Sequence, residues 1–249
     1  MAIKNALVVG GANGIGLAVA TLLAHRPECE KVCIVDKASV PVEYQNPKFE
    51  VHTFDLTSSD YSIFDQFLYC DTLFITAGFG RLALFRDVTE EHILQSFSVN
   101  TLPALRIIHR FYPKLEATED FRCGVMVSIA GFMSSPFFSV YAATKAALKI
   151  FIESVNVELE KAGTTNRILN VSPGSIKGTS FTQGKTDLSQ TEGLAKEIIQ
   201  YLEQKKDLFI PKYEEVFHHV LERYHADFRA EGLHSYDYKV QSGRVPTKS

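Results

Sequence analysis

Along this chain, short runs of apolar residues alternate with longer segments in which apolar positions recur every three or four residues. The runs predict strands near 5–10, 31–35, 49–54, 72–76, 123–128, 166–171 and 207–210. The periodic segments predict helices near 14–26, 60–68, 90–113, 140–162, 191–205 and 212–229. Runs that are apolar throughout, such as Ala6-Leu-Val-Val9 and Val32-Cys-Ile-Val35, fit strands covered on both faces. Alternation of this kind implies an α/β fold: a doubly wound parallel sheet of about seven strands, which right-handed crossovers order 3-2-1-4-5-6-7. No repeat, low-complexity segment or linker interrupts the pattern, so residues 1–249 read as one domain. Ligands of such sheets bind beyond the carboxyl ends of the strands, which directs attention to the loops that follow them.

Composition narrows the setting without naming a function. Hydrophobic residues at 45% suffice for a large core, and a net charge of -3 gives no support for nucleic-acid binding. The four cysteines, Cys29, Cys33, Cys70 and Cys123, lie in or beside apolar runs without metal-like pairing, so reduced interior thiols in a cytoplasmic protein are expected. The first strand starts almost at Met1, leaving no room for a signal peptide, and no apolar run is long enough for a membrane span. Asn170-Val-Ser172 fits the glycosylation pattern but ends a predicted buried strand, and is read as fortuitous.

Two elements carry chemistry. The first apolar run leads into Gly10-Gly-Ala-Asn-Gly14-Ile-Gly16 and then a helical pattern, which is the strand–turn–helix context of a dinucleotide-binding loop. There, backbone N–H groups at the positive end of the helix approach a pyrophosphate. The second strand ends in Asp36, twenty residues beyond Gly16, where a carboxylate accepts hydrogen bonds from an adenosine ribose. Its charge opposes a 2′-phosphate, which favours NAD over NADP; Lys37 softens the preference. The second element is Tyr141-Ala-Ala-Thr-Lys145, a phenol and an ammonium at i, i+4 on one helix face. A free phenol has a pKa of about 10, so a neighbouring cation is what makes it useful as a base near neutral pH.

With these residues in place, about residues 4 to 212 resemble the short-chain dehydrogenase/reductase family, classical type, a single-domain Rossmann fold. The resemblance implies an NAD(H)-dependent oxidoreductase that interconverts a secondary alcohol and a ketone. It implies that residues 1–165 mainly bind the cofactor and that 173–249 supply a substrate loop, C-terminal helix and tail. Asp55, followed by Leu56, matches the acidic residue at the adenine amino group. Thr76-Ala77-Gly78 matches the family's Asn-Ala-Gly turn with Thr for Asn, and Pro173-Gly174 matches the turn beneath the nicotinamide. In the same register Ser128, thirteen residues before Tyr141, matches the serine that polarises the carbonyl, and Asn100 the residue holding a water that links Lys145 to solvent. Tyr141 is then the general acid/base, and Lys145 both lowers its pKa and binds the nicotinamide ribose. The implied cofactor site comprises Gly10, Asn13, Gly14, Ile15, Gly16, Asp36, Lys37, Asp55, Leu56, Thr76, Ala77, Gly78, Tyr141, Lys145, Pro173, Gly174, Ile176 and Thr179.

Several departures from the family pattern are visible. Val9 replaces a Thr and Thr76 an Asn that normally tie the first and fourth strands, which places local rigidity in question. Gly178 stands where the carboxamide-binding Thr belongs, leaving Thr179 or the Ile176 backbone for that contact, and the stretch from Asp55 to Thr76 is short, implying a trimmed helix. Phe79, Phe132, Met133, Phe137, Phe138 and Phe181 either line an apolar substrate pocket or serve as core and subunit contacts, while Arg81 and Lys177 read as solvated loop charges before substrate anchors. His218, Glu222 and His225 share a helix face, but no metal is expected, because such faces are usually solvated. Residues after Gly232 lack periodicity, and the tail 233–249, with Tyr236 and Tyr238, either covers the substrate mouth or meets another subunit. A homodimer or homotetramer is expected through the helices near 90–113 and 140–162, using Phe97, Leu105, Ile108 and Phe111 on one and Leu148, Ile152, Val155 and Leu159 on the other. A dinucleotide-sensing or scaffold protein, and epimerase or dehydratase chemistry, stand as alternative functions on the same fold.

Overall fold

The computed structural model describes residues 2–179, 181 and 185–245. Seven parallel strands form one sheet in the order β3-β2-β1-β4-β5-β6-β7. They are β1 (Asn5–Val9), β2 (Lys31–Asp36), β3 (Phe49–Thr53), β4 (Thr72–Ile75), β5 (Arg122–Met126), β6 (Ile168–Val171) and β7 (Leu208–Phe209). Among the described residues the α-helices are α1 (Gly14–Ala24), α2 (Glu90–Asn100), α3 (Leu102–Glu116), α4 (Ser139–Lys161), α5 (Leu188–Glu203), α6 (His218–Ala226) and α7 (Phe228–Gln241). The predicted sheet order is the observed one.

The apolar strands divide their side chains between two cores, because successive residues point to opposite faces. Leu7 and Val9 of β1, with Leu73 and Ile75 of β4, pack beneath α3 and α4 against Ile107, Phe111, Leu148 and Ile152. Ala6 and Val8 face the other way, onto Leu17, Ala20, Ile198 and Leu202 of α1 and α5. Register is therefore fixed from both faces, since a one-residue slip would exchange the two sets.

The sequence expectations fail where a periodic segment contains an internal stop. The single helix expected over 90–113 is two, broken at Thr101, whose backbone (φ -120, ψ -63) leaves the helical path and whose hydroxyl donates to the Thr144 carbonyl at 3.0 Å. In place of a helix over 60–68 there is a 3-10 helix, Ser62–Phe67. Tyr61, Phe64 and Phe67 fill the space beneath it, and the Arg106 guanidinium lies 3.6 Å from the Tyr61 ring centre while donating to the Ser58 carbonyl. The helix expected over 212–229 is a π-helical turn, Tyr213–Phe217, followed by α6. Asp227 ends α6 and caps α7, accepting from the Arg229 and Ala230 N–H groups at 2.9 and 3.0 Å. The region after Gly232, read as aperiodic, is thus helical to Gln241; its apolar residues are scattered around the helix, so no stripe announces it.

The apolar residues assigned to a subunit interface also need correcting. Ile108, Phe111, Leu148, Ile152, Val155 and Leu159 are buried against the sheet, with Leu105 packed on them. The apolar residues left on the outer faces are Leu94 of α2, Leu102 of α3, and Ile150 and Val157 of α4.

At the amino end of the sheet, Asn166 gathers the chain. Its Nδ2 donates to the Leu115, Ala117 and Glu119 carbonyls, and its Oδ1 accepts from the Phe121 N–H and Lys205 Nζ. Asn170 and Ser172 of the sequon-like stretch are buried and bonded to each other at 2.6 Å, which explains why that pattern carries no surface role.

Candidate active site

The site residues lie on the carboxyl edge of the sheet, each placed by the end of a strand or the start of the next helix. After β1 the chain turns through Gly10, whose φ of +81° is left-handed and whose missing side chain leaves the Ala77 N–H only 2.5 Å from where a Cβ would stand. Here the departures at Val9 and Thr76 resolve. The Thr76 hydroxyl donates to the Gly10 carbonyl at 2.7 Å, so a shorter side chain ties the first and fourth strands. Asn13, at the N-cap position of α1, is extended and its side chain does not cap the helix. The Gly14 N–H reaches the Thr186 hydroxyl at 3.4 Å, a long bond. The first amide groups of α1 are thus disposed to receive an anion, and the residues present fit the pyrophosphate of a dinucleotide.

Asp36 stands beside this turn, its Oδ2 accepting from the Ala12 N–H and its Oδ1 from the Ala38 N–H, both at 3.0 Å. Lys37 is exposed next to it. Asp55 accepts from the Thr57 N–H and hydroxyl at 2.8 Å, bonds that hold its carboxyl below the usual range. Leu56 is held on the same turn, its carbonyl accepting from the Tyr61 hydroxyl at 2.6 Å.

Tyr141 and Lys145 occupy the first turns of α4. Lys145 is 2% exposed, and its Nζ donates to the Met126 carbonyl at 2.8 Å and lies 5.7 Å from the Tyr141 ring centre. Burial lowers its pKa to about 7. Tyr141 is raised to about 12 by the loss of water around its hydroxyl, partly offset by a hydrogen bond with Ser128. Ser128, 9% exposed, also accepts from the Ala130 N–H at 3.2 Å and lies 3.5 Å from the Pro173 carbonyl, which joins the β5 and β6 loops. Near pH 7 the phenol is therefore neutral and the amine is poised between its charged and neutral forms.

Asn100, at the end of α2, locks this arrangement. Its Oδ1 accepts from the Phe79 N–H and its Nδ2 donates to the Phe79 carbonyl, both at 2.9 Å, and Nδ2 also donates to the Thr144 hydroxyl at 3.2 Å. Gly78 lies close against both Asn100 and Lys145. A Cβ there would stand 3.2 Å from Asn100 Oδ1 and 3.3 Å from Lys145 Nζ.

Of the six residues considered for an apolar pocket, two gather at the phenol. Phe138 and Phe181 lie 5.4 and 5.2 Å from Tyr141 between ring centres. Phe79 packs on His92, Phe137 turns to Tyr236, and Phe132 lies under Lys149, while Met133 is half-buried. Arg81 and Lys177 are exposed. The loop after β6 returns to the glycine turn: Thr179 stands 3.4 Å from where a Gly14 Cβ would be, and its hydroxyl donates to the Ile176 carbonyl at 3.1 Å. Gly174 is covered by the Phe217 ring from the π-helical turn. His218 pairs with Glu214 and Glu222 on a solvated face, and His225 packs on Tyr224. Thr186, Phe217 and Lys239 touch this region without any signal in the sequence, because each arrives from an element whose packing partner is far away along the chain.

The profile of the short chain dehydrogenase family matches residues 4–190. The 3-oxoacyl-[acyl-carrier-protein] reductase MabA of Mycobacterium avium is 29% identical over 175 residues, 70% of this chain and 67% of that protein. Retinol dehydrogenase 8 of Bos taurus is 26% identical over 236 residues, 87% of this chain and 73% of that one. A probable short-chain type dehydrogenase/reductase, VdlC, of Helicobacter pylori is 26% identical, the match spanning 65% of its length. Among solved structures, a short chain dehydrogenase from Burkholderia cenocepacia in complex with NADP superposes with a TM-score of 0.76 at 20% identity, over 94% of this chain and 99% of that one. Glycine turn, doubly wound sheet and family profile agree, and the chain belongs to the short-chain dehydrogenase/reductase family.

Proposed function

We propose that this protein is an NAD(H)-dependent oxidoreductase interconverting a secondary alcohol and a ketone. The observation that carries the reading is the hydrogen-bonded Ser128–Tyr141 pair set one helical turn from a buried Lys145. In the reducing direction, Ser128 donates to the substrate carbonyl and Tyr141 passes its phenolic proton to the same oxygen as hydride reaches the carbon. The dinucleotide, when bound, supplies hydride or accepts it and, in its oxidised form, brings a positive ring. A neutral phenol at pH 7 is the form that donation requires, so the pKa of about 12 suits reduction. Oxidation asks Tyr141 to be the base, and a charged Lys145 then stabilises the phenolate; Asn100 holds the loop that shapes this corner. Phe138 and Phe181 favour an apolar substrate. Reductase and dehydrogenase relatives support this activity.

The cofactor site rests on Gly10, Asn13, Gly14, Ile15 and Gly16 for the pyrophosphate, Asp36 and Lys37 for the adenosine ribose, Asp55 and Leu56 for adenine, and Thr76, Ala77, Gly78, Pro173, Gly174, Ile176 and Thr179 toward the nicotinamide. The Burkholderia cenocepacia structure carries NADP and that of a Thermococcus sibiricus alcohol dehydrogenase carries 5-hydroxy-NADP, which supports a nicotinamide dinucleotide in general. NAD is favoured here because the Asp36 carboxylate, held against the glycine turn, meets a 2′-phosphate with like charge. A cytoplasmic setting agrees with four buried free thiols.

Four outcomes test this reading. Tyr141→Phe keeps the ring and removes the proton, so kcat should fall by about 10² or more with nucleotide affinity unchanged. A variant retaining above about a tenth of wild-type kcat would remove Tyr141 from its role. Titration calorimetry should show NADH binding more tightly than NADPH, with Asp36→Ala narrowing the gap; tighter NADPH binding by the wild type would show that Lys37 dominates.

The third outcome concerns pH. Lys145 is lowered from 10.5 to about 7 in the folded chain, so between those values the unfolded state binds more protons. Stability should therefore rise with pH across that window, and Tyr141, raised to about 12, adds no rise because its effect begins above pH 10 and has the opposite sign. Urea midpoints without added nucleotide should increase from about pH 7 to 9.5 in the wild type and less in Lys145→Met. Equal increases would show that burial of the ammonium is not the source. Finally, the exposed Leu94, Leu102, Ile150 and Val157 suit a homodimer or homotetramer, and light scattering should give a mass well above the 27.8 kDa chain; a monomer at micromolar concentration would refute it.

A further inference from the structure

We propose that Lys239 and Tyr236 of the C-terminal helix α7 are positioning residues for the wall of the active site. They hold the loop between β5 and α4 so that Phe138 lies against Tyr141. The loop has an unusual backbone: Phe137 is 5% exposed and adopts φ 67°, a left-handed conformation that a bulky side chain enters only when its surroundings impose it. Three contacts impose it. The Phe137 ring packs on Tyr236 at 4.5 Å between centres, and its carbonyl accepts from the Ala83 N–H at 2.9 Å. Lys239, one turn beyond Tyr236 and 8% exposed, donates to the Pro136 carbonyl at 2.8 Å and the Ser135 hydroxyl at 3.1 Å, with its Nζ 5.6 Å from the Phe138 ring centre.

The consequence is directional. With Phe137 turned outward onto α7, the next residue, Phe138, points inward and meets both Tyr141 and Phe181. Without the Lys239 bonds the left-handed residue keeps only the Tyr236 ring and the Ala83 N–H to hold it, and a loosened loop would let Phe138 move off the phenol. A lysine is suited to the task because its long stem packs along apolar surface while its ammonium reaches two acceptors. Helix α7 is itself anchored by the Arg223 guanidinium, which donates to Glu231 from Nε at 2.7 Å and from its terminal nitrogen at 3.3 Å, so α6 and α7 act as one support.

This inference rests on the reading of Tyr141 as the acid/base, and the test separates the two. Lys239→Met keeps length and removes both bonds, and Lys239→Arg keeps a charged donor at nearly the same reach. Each protein is compared by chymotrypsin cleavage after Phe137 and Phe138, by KM for an apolar ketone, and by NADH affinity from fluorescence. Loss of charged hydrogen bonds predicts about tenfold faster cleavage and about tenfold higher KM in Lys239→Met, with most of the change absent in Lys239→Arg and NADH affinity within about twofold in both. Cleavage and KM unchanged in Lys239→Met would overturn the proposal, as would NADH affinity falling in step with KM, which marks general loosening. If Lys239→Met does not fold, Tyr236→Leu removes the ring support alone and is held to the same outcomes. A wild type that turns over no carbonyl removes the acid/base reading, and cleavage then decides the loop's support by itself.

Discussion

Burial of the Lys145 ammonium is the constraint around which the candidate site is organised. A lysine taken out of water needs acceptors near it, and the Met126 carbonyl at the end of β5 is one. That bond pins α4 to the sheet at a fixed height, which in turn sets where Tyr141 emerges one turn earlier. Gly78 brings the β4 loop close past the same nitrogen, and Asn100 grips Phe79 to hold that loop in place.

Asn100 grips from a helix end. The break at Thr101 is the reason it can: a continuous helix over 90–113 would carry Asn100 mid-helix, whereas the observed termination brings its amide to the Phe79 backbone and the Thr144 hydroxyl at once. The Thr101 hydroxyl then reaches the Thr144 carbonyl, so two successive residues of one helix end fasten the turn of α4 that separates Tyr141 from Lys145. Local disorder in helix periodicity and precision in the site are the same feature.

The sheet was legible in the sequence because its central strands are apolar on both faces, and right-handed crossovers between the located strands agree with the observed order. Tyr141 and Lys145 stand one turn apart at the start of α4 as their spacing implies, and Ser128, singled out through the family resemblance, is hydrogen-bonded to Tyr141. What escaped was every element whose identity depends on a distant partner. The 3-10 helix at Ser62–Phe67 has helical spacing of aromatics but too few residues to complete a longer helix before β4. Helix α7 has no apolar stripe because its buried contacts are made by Glu231, Gly232 and Lys239, residue types that periodicity counts as solvated. Thr76 is instructive in the other direction: comparison with a family motif read it as a loss, yet a hydroxyl reaches the Gly10 carbonyl as directly as a longer amide.

Asn166 sits at the far end of the sheet from the chemistry and ties five backbone and side-chain groups from the segments around 115–121 and 205. Cohesion of the second half of the sheet is thus concentrated at the amino edge, while the carboxyl edge carries loops joined mainly to one another. The two edges are separable for an evolving or engineered chain. The α6–α7 pair can be exchanged for elements of different length, and the stapled edge keeps the strands in register while new pockets are tried above them.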